Sequence, residues 1–321
     1  MLTRGYRVTA DELLEMVEAL DLPGYIVTPS RYVFDPVEAL GLTLARFRSA
    51  GDQYELSMLY NRTQSAISEI VNFVVTYVDN RWSDLLDFDH DHLLSPTNLE
   101  KYAAAIHRAG APMDSIWGFI DCTIRRIARP TKWQRAAYSG HKKFHALKFQ
   151  AIMLPNGMFG HLFGPEEGRR NDNHLLAKSK ILETCAAHAV REGTDENTPA
   201  QERYLQIFGD PAYGVSNQII SPYAGAGDRT EEEREWNAEM AAVRIEVEHG
   251  FGIVSNTWPF LNAGWKMHVY RSPCGRYYRA GVLFTNALNC MRYNQVAQYF
   301  NCKPPSLLEY FHNQLCNQRG I

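Results

Sequence analysis

Two aspartates in this chain each close a short apolar run beside a glycine, in Gly118-Phe119-Ile120-Asp121 and in Phe208-Gly209-Asp210-Pro211-Ala212-Tyr213. That pattern sets a carboxylate at the carboxyl end of a strand. A third acid, Glu248, lies in Val247-Glu248-His249-Gly250-Phe251-Gly252, within a stretch that reads as helix, and a fourth, Asp172, ends Gly168-Arg169-Arg170-Asn171-Asp172. Two strand-end carboxylates and a helical one point to an α/β fold in which a sheet and a helix share one site.

The elements around these acids follow from periodicity and breakers. Residues 10 to about 112 read as helical. Asp35-Pro36-Val37-Glu38-Ala39 opens a helix, with Asp35 as cap and Pro36 at the first helical position. Asp52 to Tyr60 makes a short helix, Asn61-Arg62 a turn, and Thr63 an N-cap for a helix with apolar positions 66, 67, 70, 71, 74, 75 and 78. Short helix, turn and Ser/Thr/Gln-rich helix start describe a helix-turn-helix, although this turn lacks the usual Gly. Between Asp52 and Trp82 two Arg stand against four acids, less positive than phosphate contact favours. A structural helical hairpin and a DNA-reading module are therefore equal readings of this segment.

After Ala111-Pro112 the pattern changes. Ser115 to Asp121 and Ile124 to Ala128 are strand-like, and His145 to Leu154 and Met158 to Phe163 flank the hairpin turn Pro155-Asn156-Gly157. Asp172 to Ala189 reads as helix, Tyr204 to Gly209 as a strand, and residues 222–236 as an acidic surface insertion. Trp236 to about Ser255 and Gly281 to Phe300 read as helices, and the tail beyond Lys303-Pro304-Pro305 as a wrapping or fraying segment. Strand, hairpin, helix, strand and later helix is the order of an RNase H-like fold. The expected division is an all-α, helix-turn-helix-like domain over 1–112, an RNase H-like α/β domain over 113–300 with its insertion at about 222–236, and a tail over 301–321.

An apolar fraction of 45% supports a sizeable core, and no run approaches the roughly 18 uncharged apolar residues of a membrane span. Acidic residues follow the first seven positions where a secretory signal would have its apolar core, so no such signal is expected. The six cysteines, at 122, 185, 274, 290, 302 and 316, form no CxxC pair, which argues against a zinc ribbon and for free thiols in a reducing compartment. Net charge is −3, yet between Cys122 and Pro165 stand eight basic residues and no acid: Arg125, Arg126, Arg129, Lys132, Arg135, Lys142, Lys143 and Lys148. A phosphate polymer beside Asp121 would be drawn to this block.

Carboxylates so arranged hold two divalent ions for phosphodiester chemistry, activating a water or 3′-hydroxyl and stabilising the leaving oxygen. Asp121 would bridge both ions, and Asp210 and Glu248 would each complete one. Mg2+ suits such oxygen ligands, with Mn2+ as substitute. Each acid also has a plainer reading: a strand-end Asp forms Asx turns, a helical Glu is usually solvated, and Asp172 at a helix start serves as a cap. Glu246 competes with Glu248, but the two lie about 200° apart on a helix, so only one faces the site. Arg169 and Arg170 are placed to contact phosphate or the acidic cluster, and His145, His161 and His174 are candidates for general acid or base.

Taken together, the motifs resemble those of the PIF/Harbinger transposases, a family of DDE-type endonucleases. The resemblance is carried by Gly118-Phe119-Ile120-Asp121-Cys122-Thr123 with Arg129-Pro130, by the run from Tyr138 to Gln150, by His161 to Pro165 with Gly168 to Asp172, by Gly209 to Tyr213, and by Asn237 to Met240 leading into Val243 to Glu248 with Phe251-Gly252. It covers roughly Asp114 to Phe300. It implies an RNase H-like domain that cleaves and joins double-stranded DNA at transposon terminal repeats and targets. It carries Asp121, Asp210 and Glu248 over as the triad and Asp172 as a fourth metal position. It also implies action in the nucleus, with a Myb-like partner for DNA recognition and nuclear entry; otherwise the chain would be cytoplasmic. Pairing two ends suggests a homodimer or larger. The basic block and the arginine pair supply the expected DNA contacts: Arg125, Arg126, Arg129, Lys132, Lys142, Lys143, Lys148, Arg169 and Arg170. Cys122 departs from the family, where small Gly is common after the first Asp, and raises the prospect of slowed chemistry or thiophilic metals. The rival reading is a domesticated, non-cleaving DNA- or protein-binding factor that keeps the fold.

Overall fold

A computed structural model describes residues 8–225, 227 and 229–312, the side chains of 246–251 excepted. The chain opens with α1 (Ala10–Ala19), a short hairpin of β1 (Ile26–Val27) and β2 (Val33–Phe34), α2 (Pro36–Arg48), α3 (Gln53–Tyr60) and α4 (Gln64–Trp82). A 3-10 turn at Ser83–Leu86 leads to α5 (Pro96–Arg108). Then follow β3 (Ile116–Arg126), α6 (Gln134–Ala137), β4 (Tyr138–Ser139), β5 (Phe144–Met153), β6 (Phe159–Glu167), α7 (Asp172–Ser179), α8 (Ile181–His188), α9 (Ala200–Arg203), β7 (Gln206–Phe208) and β8 (Ile219–Ile220). The last elements are α10 (Glu231–Thr257), α11 (Cys274–Met291), α12 (Gln295–Tyr299) and α13 (Leu307–Tyr310).

The result is a mixed α/β fold on a mixed sheet. Its order is β6-β5-β3-β7-β8, with β4 also paired to β5. β3 runs antiparallel to β5 and parallel to β7, and β8 is parallel to β7. No helix among the described residues is long and apolar enough to cross a membrane, and no described cysteine forms a disulfide.

Several local signals act as expected. Asp35 caps α2, its carboxylate accepting from the Val37 N–H at 2.8 Å, with Pro36 at the first helical position. Thr63 caps α4 by accepting from Ala66 N–H, and Asn61 takes the left-handed conformation (φ 50°) that closes α3. Gly157 has φ 79° in the β5–β6 hairpin, a value an L residue meets only with strain.

The N-terminal region is not all-α, because β1 and β2 pair within it. Nor is its core separate. α4 buries Ile67, Ile70, Val74, Val78 and Trp82 in the same apolar cluster that holds Phe119, Ile152 and Phe208 of the sheet. At the other end, the tail forms α13, and Tyr310 and Phe311 are buried. The Phe311 ring meets Trp82 edge-on at 5.1 Å, and the Tyr310 hydroxyl accepts from Asn286 at 2.8 Å.

Other boundaries differ from the sequence reading. The two expected strands around Asp121 are one 11-residue strand, because β5 pairs with it continuously from Phe119↔Met153 to Arg126↔Ala146. The helix expected from Asp172 to Ala189 breaks at Lys180, which is left-handed (φ 54°). The acidic insertion at 222–236 is helical in its last part, since a capping box between Thr230 and Glu233 starts α10 at Glu231. The last long helix ends at Met291, and Asn294 caps a separate α12.

Candidate active site

Register places two of the acids together. β3 and β7 pair in parallel up to Phe119↔Phe208, whose rings meet edge-on with centroids 6.1 Å apart. Two residues further along each chain stand Asp121 and Asp210, on the side of the sheet that holds those rings, since side chains alternate along a strand. Asp121 is not at the end of β3, which continues five residues beyond it on the β5 side; it stands where pairing with β7 stops. Its Oδ1 accepts the Cys122 N–H at 2.7 Å. Asp210 caps the 3-10 turn Pro211–Tyr213, with Oδ1 accepting the Ala212 N–H at 2.9 Å, and its carbonyl accepts the Ser221 hydroxyl at 2.9 Å. The turn is fixed from beneath, because a Cβ on Gly209 would stand 2.6 Å from the Tyr213 ring and 2.9 Å from Ile120 Cγ2.

The opposite side of β3 holds a second cluster. Cys122 points away from Asp121, with its sulfur 3.4 Å from the Tyr213 hydroxyl. Burial, reinforced by the Asp172 carboxylate, pushes the Cys122 thiol far above the ordinary range. Burial likewise raises the Tyr213 phenol, which feels Cys122 and the carboxylates of Asp172 and Asp121. A buried neutral thiol on the face of β3 opposite Asp121 is a poor ligand for thiophilic metals. Asp172 is the first residue of α7, but the cap is Asn171, whose side chain accepts the His174 N–H at 2.9 Å. Asp172 instead pairs with Lys148, which also donates to the Arg170 carbonyl at 3.0 Å.

Glu248 lies on α10, and its side chain, like that of Glu246, is outside the described residues. The path of the helix is clear on either side. Trp236 meets the Phe208 ring at 6.1 Å, Met240, Val243 and Val254 are buried, and Ser255 accepts a hydrogen bond from Arg125. The helix therefore crosses the sheet from the end of β7 toward the end of β3, and Glu248 falls between these two contacts.

The nine expected DNA-contacting cations separate into two groups. Arg126, Arg129, Lys132, Lys142 and Lys143 are exposed. Arg125 is turned inward, donating to Thr123 and to the Tyr278 hydroxyl while its guanidinium stacks on the Tyr278 ring. Lys148 is held by Asp172, and Arg169 and Arg170 both pair with Glu167, at 3.1 and 2.9 Å. Within the exposed group stands Trp133, 79% exposed and left-handed (φ 57°). Sequence reasoning passed over it, although an aromatic between Lys132 and Arg135 is a recognisable base-stacking signal. Tyr213 was read as part of a motif but given no role.

The histidines do not join the carboxylates. Burial, with the nearby charge of Arg279, holds His161 down to about 4, and neither ring nitrogen has a hydrogen-bond partner. His145 packs against the Tyr138 ring, and His174 stands 3.9 Å from Glu166.

A model of the DDE superfamily endonuclease family matches residues 120–286, a little over half of the chain. The chain belongs to that family. The matched segment begins beside Asp121, contains Asp172, Asp210 and Glu248, and leaves the N-terminal helices outside it. No curated protein and no solved structure matches the chain. DDE nucleases use divalent metals. The donor set formed by Asp121 and Asp210 is carboxylate oxygen only, which suits hard divalent ions rather than thiophilic ones.

Proposed function

We propose that this chain is a Mg2+-dependent DNA endonuclease and strand-transfer enzyme of the PIF/Harbinger type, with Asp121, Asp210 and Glu248 as its acidic triad. The observation that carries the reading is the register Phe119↔Phe208, which brings Asp121 and Asp210 to one level of neighbouring parallel strands beneath the helix bearing Glu248. The sheet order β6-β5-β3-β7-β8 favours an RNase H-like description of the domain.

In this mechanism the carboxylates of Asp121 and Asp210 are oriented before substrate arrives, each by a backbone N–H on one oxygen. Preorganised donors need little rearrangement during reaction. Bound divalent ions would activate the attacking water or 3′-hydroxyl and stabilise the departing 3′-oxygen. The exposed Arg126, Arg129, Lys132, Lys142 and Lys143 would hold the DNA backbone. Asp172, already neutralised by Lys148, is an outer position that supports the cluster at Cys122. The chain would act in the nucleus on terminal repeats, as a dimer or larger assembly with a Myb-like partner. That partner fits an α4 start with few basic residues.

The test is nicking of supercoiled DNA in Mg2+ or Mn2+, with Mn2+ binding measured by calorimetry on the same samples. Wild type should bind and nick, while Asp121→Asn and Asp210→Asn should lose nicking with an unchanged far-UV spectrum. Wild type that binds DNA but neither binds metal nor nicks would favour the non-cleaving factor. Normal nicking by both variants would remove the triad.

A further inference from the structure

Away from the carboxylates, three side chains distant in sequence converge on one point. Asp89 and His92 stand three positions apart on the turn between the Ser83–Leu86 segment and α5, and His312 follows α13. The Asp89 carboxylate, 10% exposed, reaches one nitrogen of each ring: Oδ1 is 3.1 Å from His92 Nδ1 and Oδ2 is 3.0 Å from His312 Nε2. The rings overlap with centroids 3.6 Å apart. One ligand atom from each residue can be chosen so that all lie within 4.8 Å of one another. All three residues fall outside the segment that carries the family match.

We infer that Asp89, His92 and His312 form a binding site for a borderline divalent ion of the Zn2+ class, separate from the acidic triad. Bonds of about 2.0–2.2 Å to imidazole nitrogen and carboxylate oxygen place tetrahedral ligands roughly 3.3 Å apart, and each Asp89 oxygen stands near that distance from one imidazole nitrogen. Two imidazoles and one carboxylate favour zinc-like ions, whereas an all-oxygen set favours Mg2+. The turn is prebuilt: Leu94 N–H donates to the Asp89 carbonyl at 2.8 Å, and Asn98 donates to the His92 carbonyl at 2.7 Å. One side opens on a cavity of about 560 Å³ bordered by Glu309 and Lys303, which leaves room for a water as fourth ligand. An ion here would tie the end of α13 to the turn before α5 and raise the stability of the folded chain.

The experiment uses the full chain, stripped with chelator and titrated with Zn2+ in excess Mg2+, which saturates the all-oxygen site. Calorimetry and thermal melting report binding, and Co2+ in place of Zn2+ reports the ligands. One Zn2+ per chain, a raised melting temperature and a four- or five-coordinate Co2+ spectrum of nitrogen and oxygen donors are expected. His92→Ala, at an exposed position, should melt like wild type without metal. It should lose affinity by more than the ~10–100-fold typical of losing an outer partner, as should His312→Ala. Asp210→Asn should bind Zn2+ normally. The inference is overturned by a wild type that binds no Zn2+ in excess Mg2+, by either histidine variant binding as wild type does, by loss of binding in Asp210→Asn, or by a sulfur-to-cobalt band assigning a cysteine ligand.

Discussion

The Tyr213 hydroxyl stands 3.4 Å from the Cys122 sulfur, on the face of β3 opposite Asp121. One strand thus presents a carboxylate to one side and a buried thiol–phenol contact to the other. The turn that orients Asp210 ends in the same tyrosine. The packing beneath the sheet and the geometry above it are therefore joined through three consecutive residues, Pro211 to Tyr213.

Gly209 is the tightest point of that joint. Gly209→Ala would force a Cβ against Tyr213 and Ile120, an overpacking that costs about 1–3 kcal/mol. The denaturant midpoint should fall by that amount, and nicking should fall with it because Asp210 is displaced. A variant of unchanged midpoint would show that the turn relaxes freely.

Cys122 should resist modification. Burial holds its thiol far above the usual range, so little thiolate exists at neutral pH. Labelling with a thiol reagent at pH 8, followed by peptide mapping, should find Cys122 unmodified in the native protein and modified once it is unfolded. Rapid native labelling would contradict the packing against Tyr213.

Lys148 separates a structural role from a DNA-binding one. Its side chain is 14% exposed and paired with Asp172. Lys148→Met would leave Asp172 partly buried and unpaired, costing about 1–3 kcal/mol; the partial exposure of Asp172 keeps this below the figure for a fully buried pair. Stability should drop while the salt dependence of DNA binding stays as in wild type. The reverse result would make Lys148 a phosphate contact. Lys142→Ala and Lys143→Ala, at exposed positions, should weaken binding and flatten its salt dependence without a stability change.

His161 sets a pH dependence with a definite sign. Its folded value of about 4 lies below the ordinary 6.5, so the unfolded chain takes up the proton first. Stability then rises with pH through this interval: full above about 6.5, it declines as pH falls from there to about 4. His161→Leu removes this contribution. The difference in unfolding free energy between variant and wild type should therefore shift in favour of the variant across that window. A constant difference would mean that His161 is solvated or paired in the folded state.

The sequence was informative where a local rule decides the outcome. The caps at Asp35 and Thr63, the hairpin at Gly157 and the short strand before Asp210 depend on a few adjacent residues. It misled where distant pairing decides. Asp121-Cys122-Thr123 interrupts an apolar run, yet β3 continues because β5 supplies a partner at every residue. Asp172 was open to reading as a helix cap, but Asn171 takes that place, and the partner Lys148, 24 positions earlier, meets Asp172 only after the sheet forms. The acidic run before Trp236 read as surface insertion although Thr230 and Glu233 spell a capping box, so that miss was avoidable. The convergence of Asp89 and His92 with His312 had no sequence signal, since it depends on where α13 docks.

The docking of that last helix sets the family segment apart from the folding unit. The matched stretch begins at residue 120, four residues into β3, and ends at 286, within α11. Trp117 and Phe119 lie just before it, and α4 and α13, which both pack on α11, lie well outside it. A recombinant piece trimmed to residues 120–286 would expose apolar surface that the intact chain covers with its two ends. The stretch with the shared ancestry is thus embedded in a larger body, and inheritance of the chemistry and autonomy of folding have different borders in this molecule.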